Sequence, residues 1–317
     1  MKKNPTWSVT VPSYNSAKYI EETLNSVLIQ DPGLDEMEII VVDNCSTDDT
    51  RQVVERVGKG RVIFYLNEKN LGPHGNFNRC IEKAKGKYIH MLHSDDIAEL
   101  GFYSKFYKYF EKYPDIGLVS CNAEIIDENG IRIGTSPRIT STLNPSKNVT
   151  DFLYENPFRT PGIVVKKTVY DKAGGFDISF THCGDWDMWV RAIKEFGGVH
   201  IDEELCKYRQ YSNNDTSKYF ITGEDLLDSE RVFQKFWKLG YGINKEKCFE
   251  ILKNKSKERY LYLYSVNKEK KLDLTKIKQV FKKYNGLIEN VVLELSMKKR
   301  LYLGCLKYNT KKFLKSR

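Results

Sequence analysis

No run of about eighteen apolar residues occurs in the sequence, so no membrane-spanning helix is expected. The opening segment, MKKNPTWSVTVPSYN, has no apolar stretch of the kind that directs secretion, so a cytoplasmic location is expected. Cysteine occurs seven times, at positions 45, 80, 121, 183, 206, 248 and 305, never as a CxxC pair. That spacing points to no zinc site, and an odd number argues against a disulfide framework. Reduced thiols in or near the core are expected. There is no GxxxxGK[ST] loop and no GxGxxG at a strand–helix turn. Neither a P-loop nucleotidase nor a dinucleotide-binding oxidoreductase is supported. Internal repeats and low-complexity tracts are also missing.

What is present is enough for a large core, since 40% of the 317 residues are hydrophobic and 13% aromatic. The net charge of +9 hides an asymmetry. Residues 231–317 carry 24 Lys and Arg against 7 Asp and Glu, a net of +17, which leaves −8 for residues 1–230. Two regions are therefore expected, 1–215 and a basic, mostly helical 216–317. An anionic membrane surface is the expected partner of the basic end. The plainer alternative is a solvated face of ordinary helices, and nucleic acid is not expected as a partner.

Strand and helix patterns alternate through the first ninety residues. WSVTVPSYN reads as a strand from Trp7 to Val11 closed by Pro12. SAKYIEETLNSVLIQ has apolar residues at 20, 24, 27 and 28, a helical spacing with Ser16 as candidate N-cap. MEIIVVDNCS is a nearly continuous apolar run, typical of a buried parallel strand. STDDTRQVVERVG is a helix capped by Ser46 or Thr47 and ended by Gly58. RVIFYL, a helix over 74–85, and KYIHML follow. Further strands are expected at 117–126 and 162–167, and a helix over about 184–196. KERYLYLYSV and NVVLELSMKKRLYLGCLKYNTKKFLK mix apolar and basic positions in the manner of amphipathic helices. The alternation predicts an α/β fold, a mainly parallel sheet flanked by helices. Ligands bind such sheets at the carboxyl ends of the strands.

Each of those ends is polar. The first strand ends at Ser13, Tyr14 and Asn15, the second at Asp43 and Asn44, the fourth at Asp95 and Asp96. Two adjacent carboxylates at a strand end suit a hard divalent cation that keeps positions open for phosphate oxygens. The alternative is a helix cap at Asp96 with Asp95 solvated. Asp43 is placed to accept a hydrogen bond from a base or ribose, or else to form a turn. In NEKNLGPHGNFNRC, Gly72 and Gly75 allow close backbone approach, and Asn70, Asn76 and Asn78 offer side-chain amides. CGDWDMWVRA sets Asp185 and Asp187 at the start of a helix, where the helix dipole favours a carboxylate. Capping is the competing reading for each.

Together these segments resemble an inverting family-2 glycosyltransferase of the GT-A fold. VTVPSYNSAKYIEETLNSVLIQ resembles the family's opening strand and helix, and EIIVVDNCSTDDT its VDDGSTD segment. NLGPHGNFNRCIEKAKGKYIHMLHSDD resembles the stretch ending in the DxD-type metal motif. TPGIVVKKTVYDKAGGFD followed by GDWDMWVR resembles the acceptor-side segment that holds the catalytic base. The resemblance spans roughly residues 6–215 and implies a set of roles. Pro12, Tyr14 and Asn15 line the base pocket, with Asp43 bonded to the base, and Asn70, Gly72 and Asn78 lie along the nucleotide sugar. Asp95 contacts the ribose or the metal, and Asp96 ligates Mn²⁺ or Mg²⁺ across the donor diphosphate. Asp185 is the base, with Gly162, Trp186 and Arg191 on the acceptor side. The implied partners are a nucleoside diphosphate sugar, UDP-linked in first place, and a glycan or lipid-linked acceptor. The implied setting is surface polysaccharide synthesis, on the inner face of the cell membrane. A non-catalytic nucleotide-sugar-binding or scaffolding protein is the alternative, and the complete set Asp95, Asp96 and Asp185 argues against it. The sequence departs from the pattern in four places. His93 stands for the first Asp of a DxDD run, Gly184 for the Glu before the base, and Phe77 for the Arg of ARN. CKYRQYSNNDTS has no His to offer a metal, with Gln210 or Tyr211 near that place. A metal held by fewer protein ligands is the expected consequence.

Overall fold

The structure, a computed structural model, describes residues 4–139, 146–211, 215–270 and 272–285. They fall into two compact units, Met1–Gln210 and Tyr211–Arg317. The first unit is built on one sheet. Its strands are β1 (Trp7–Ser13), β2 (Met37–Asp43), β3 (Val62–Leu66), β4 (Tyr88–Met91), β5 (Ile97–Ala98), β6 (Leu118–Ile126), β7 (Arg132–Thr135), β8 (Ile163–Lys166) and β9 (Gly198–Arg209). They run in the order β3-β2-β1-β4-β8-β6-β9-β5, with β7 beside β6. Pairing is parallel from β3 to β4. Beyond β4 it mixes, antiparallel through β8 and parallel between β6 and β9. The helices are α1 (Ile20–Leu28), α2 (Thr50–Gly58), α3 (Gly72–Lys83), α4 (Phe102–Lys112), α5 (Lys167–Ala173) and α6 (Gly184–Phe196).

The pattern of apolar residues explains the layers. β1 and β2 are buried along their whole length, as central strands covered on both faces should be. Helix α1 buries Ile20, Leu24 and Val27 on one stripe, and α4 buries Phe102, Tyr103, Phe106 and Phe110. The β1 strand runs two residues past the expected end, through Pro12. Alternate residues of a strand point their backbone groups to the same side. The Thr10 carbonyl faces β4, where it accepts from the Leu92 N–H. Pro12 faces that side too, beyond the end of β4, so its missing N–H breaks no ladder bond. Before β4, Gly86 lies against β1, where a Cβ would come within 2.5 Å of the Ser8 nitrogen and the Trp7 carbonyl carbon. Only glycine lets this turn pass.

The helix caps differ from expectation. Ser16 does not cap α1; its hydroxyl reaches Ser94, and its N–H donates to Thr50. Neither Ser46 nor Thr47 caps α2, because Asp48 accepts from the Thr50 N–H and hydroxyl while Ser46 turns back to Asp43. Ser16 is drawn to partners distant in sequence, whereas at α2 a nearer carboxylate takes each group. The six described cysteines are free thiols, five of them buried.

The second unit contains α7 (Asp215–Thr222), α8 (Glu224–Lys238), α9 (Lys245–Lys270) and α10 (Thr275–Asn285). Cys248, Leu252, Ser256, Tyr260 and Leu263 form a buried stripe at helical spacing along α9. Tyr260 packs on Phe281 of α10 at 4.9 Å between ring centroids. The amphipathic pattern read over residues 290–315 lies outside the described residues. No helix of the described residues is long and apolar enough to cross a membrane.

Candidate active site

The carboxyl ends of β1, β2 and β4 meet, as parallel topology requires. Ser16 and Ser94 share a 2.6 Å hydrogen bond between the loops after β1 and β4. The Asn15 N–H donates to Ser46, and the Asn15 side chain accepts from the Thr47 N–H, both at 2.8 Å, joining β1 to the turn after β2. Asn15 holds a positive φ of 50°, which Asn tolerates better than most residues. Tyr14 stands beside it with half its surface exposed.

Asp96 is fully buried on the turn after β4. Its Oδ1 accepts from the Arg209 N–H at 2.8 Å, while its Oδ2 has no hydrogen-bond partner. Burial, reinforced by the Asp95 carboxylate, pushes Asp96 well above the usual carboxylate range against the pull of Arg209. His93 Nδ1 lies 3.7 Å from that open oxygen. Ligand atoms of His93, Asp95 and Asp96 all fall within 4.8 Å of one another. A buried carboxylate oxygen without a donor, flanked by a second carboxylate, fits a divalent cation. Burial holds the His93 imidazole below its usual range, while Asp95 and then Asp185 act in the opposite sense.

Asp185 sits in the first turn of α6, partly exposed. Its Oδ1 accepts from the Trp186 N–H at 2.7 Å, and its Oδ2 accepts from Asn156 at 3.2 Å. Gly184 before it has no room for a side chain, since a Cβ would come within 2.6 Å of His74 Nε2. His74 is buried and held by the Phe180 carbonyl at 2.9 Å.

Several expected site residues are used inside the protein. Asp43 is 2% exposed, and its oxygens accept from the Ser46 N–H and from the Ser13 and Ser46 hydroxyls. It therefore clamps the turn after β2. Asn78 exchanges two bonds with the Phe176 backbone and so tethers α3 to the turn before α6. Asn70 accepts from Asn44 and from the Gly72 N–H, and Gly72 takes the positive φ of 72° this turn needs. Arg191 spends its guanidinium on Asp187 and on the Ala173 and Gly175 carbonyls, bracing the back of α6. Trp186 is buried and donates to the Phe152 carbonyl at 2.7 Å. Gly162 lies against Cys121 and Cys206, with 3.0–3.2 Å left for a Cβ. Pro12 is buried beside β2.

Arg209 was not among the residues the sequence pointed to. It is 2% exposed at the end of β9. Its Nε donates to the Asp95 carbonyl at 2.9 Å, and its guanidinium also reaches the Asp127 carbonyl and the Glu22 carboxylate. With its own N–H on Asp96, it fixes the turn that carries both carboxylates. The signal was a lone Arg in CKYRQYSNN, informative only once β9 is set beside β5.

Comparison with known proteins places this geometry. The family described as glycosyl transferase family 2 matches residues 8–173. An uncharacterized glycosyltransferase of Methanocaldococcus jannaschii is 31% identical over 214 residues, covering 65% of this chain and 71% of that protein. Among solved structures, TarS of Staphylococcus aureus (residues 1–349) in complex with UDP-GlcNAc superposes with a TM-score of 0.57 at 18% identity. The match covers 88% of this chain and 91% of that one. The mannosyltransferase PcManGT of Pyrobaculum calidifontis, in complex with GDP-Man and Mn²⁺, gives a TM-score of 0.58 at 17% identity. Here 98% of this chain and 84% of that one are covered. The shared architecture is the GT-A fold.

Proposed function

Because this chain belongs to glycosyl transferase family 2, we propose that it moves a sugar from a nucleoside diphosphate sugar to a hydroxyl of a glycan or lipid-linked acceptor, with inversion, in cell-surface polysaccharide synthesis. A UDP-linked donor is the leading choice, supported by the UDP-GlcNAc of the TarS complex, and a GDP-linked donor comes second on the strength of PcManGT. The observation that carries the reading is the open, fully buried Oδ2 of Asp96, facing His93 beside Asp95 at the strand ends.

Asp95 and Asp96 would hold Mn²⁺ or Mg²⁺. Bound there, the cation supplies positive charge to the departing diphosphate. Tyr14 offers an exposed ring next to Asn15 for the nucleotide base. Asp185 takes the proton of the acceptor hydroxyl as that oxygen attacks the anomeric carbon from the side opposite the diphosphate. Asn156 orients it through Oδ2. The basic residues 231–317 hold the enzyme against the anionic inner face of the membrane, where a lipid-linked acceptor lies.

Asp185→Asn tests the assignment. Transfer should fall by about 10²–10⁴-fold, the usual contribution of a general base, while nucleotide binding stays as in the wild type. Equal loss of binding and transfer would remove Asp185 from the role of base.

A further inference from the structure

We propose that His93 is itself a cation ligand, so that the site in this chain offers one imidazole nitrogen and two carboxylates and prefers Mn²⁺ to Mg²⁺. The inference rests on the donor-site reading above and specifies its metal chemistry. Three observations carry it. The Nδ1 of His93 and Oδ2 of Asp96 face each other at 3.7 Å, too far for a hydrogen bond. Two ligand atoms each about 2.1 Å from one ion, at angles of about 90–120°, lie about 3.0–3.6 Å apart, so this gap suits a shared cation. Asp96 Oδ2 is buried and has no hydrogen-bond partner, so that oxygen is left for a ligand.

The third observation is Phe77. Its ring stacks on His93 with 5.2 Å between centroids and 21° between planes. Phe77 is itself held edge-on by His74 and Phe176. The stacking restrains the plane of the imidazole. Positions 77 and 93 are two of the four places where the sequence departs from the family pattern, and they touch. An Arg at 77 would set a positive charge against a cation-binding imidazole, and Phe removes it. Oxygen ligands alone suit Mg²⁺, whereas an imidazole nitrogen favours the later divalent metals.

Electron spin-echo spectroscopy of bound Mn²⁺ reads the ligand directly, without turnover. The protein is loaded with Mn²⁺ together with UDP, and separately with GDP. The wild type should show nitrogen modulation from a directly bound imidazole. His93→Gln and His93→Asp should bind Mn²⁺ without it, and their preference for Mn²⁺ over Mg²⁺ should fall roughly tenfold. Bound Mn²⁺ without nitrogen coupling in the wild type would overturn the proposal, whatever the variants do. Coupling that persists in both variants would overturn it too. Asp96→Asn separates the underlying reading. Mn²⁺ binding unchanged in that variant, or absent from the wild type with both nucleotides, would remove the carboxylate site itself.

Discussion

At the scale of single residues, the decisive question is whether a buried polar group is satisfied inside the protein or left without a partner. Asp43, Asn78 and Arg191 are consumed, whereas Asp96 keeps one oxygen open. Gly184 makes the same point through space. His74 fills the room a side chain would need, so Gly184→Ala should cost about 2 kcal/mol in urea unfolding and displace Asp185. His74→Ala in the same background should recover most of that loss, and additive losses would show that the two residues do not compete for space. His90 sets a pH dependence. Its Nε2 lies 2.9 Å from the Pro161 carbonyl, which only accepts, so Nε2 donates and Nδ1 accepts from Tyr103. Burial pushes this neutral imidazole down to about 4. The folded state therefore binds fewer protons than the unfolded chain between about pH 6.5 and 4, and stability is lost as pH falls through that window. At pH 5 the loss is about 2 kcal/mol relative to pH 7, and His90→Gln should remove it from the urea-unfolding profile.

At the scale of elements, periodicity carried most of the information. The strand–helix alternation of the first ninety residues, the helix over 184–196 and the helices beyond 220 could all be read, because apolar spacing reports burial directly. The ends of elements could not be read as well. Capping by Ser16, Ser46 or Thr47 looked plausible locally, yet Ser16 bonds to Thr50 and Ser94, and Ser46 and Thr47 bond to Asn15, all remote in sequence. The same limit applies to the site. Asp95, Asp96 and Asp185 were visible as carboxylates at element ends, while Arg209 was not, because its function exists only where the end of β9 meets the turn after β4. Arg209→Ala should therefore loosen that turn. Calorimetric titration should show Mn²⁺ affinity falling by about 10–100-fold, as when a supporting residue behind a metal ligand is lost. Unchanged affinity would show that the turn holds its shape without the guanidinium.

At the scale of the whole molecule, charge separates a net −8 over residues 1–230 from +17 over residues 231–317. Surface charge of this kind is screened over about 8 Å at physiological ionic strength and about 3 Å at 1 M salt. Co-sedimentation with anionic vesicles should be strong at low salt, should fall away at high salt, and should be missing with neutral vesicles. Binding indifferent to lipid charge would count against the membrane role. The paired carboxylates Asp95 and Asp96 are best probed by thermal unfolding with UDP, GDP, dTDP and CDP, each with and without Mn²⁺. A ligand held only by the folded state raises the midpoint by mass action. A Mn²⁺-dependent rise is expected with one nucleotide, UDP in first place, and it should disappear in Asp96→Ala. No rise with any nucleotide at millimolar concentration, or an equal rise in Asp96→Ala, would contradict it.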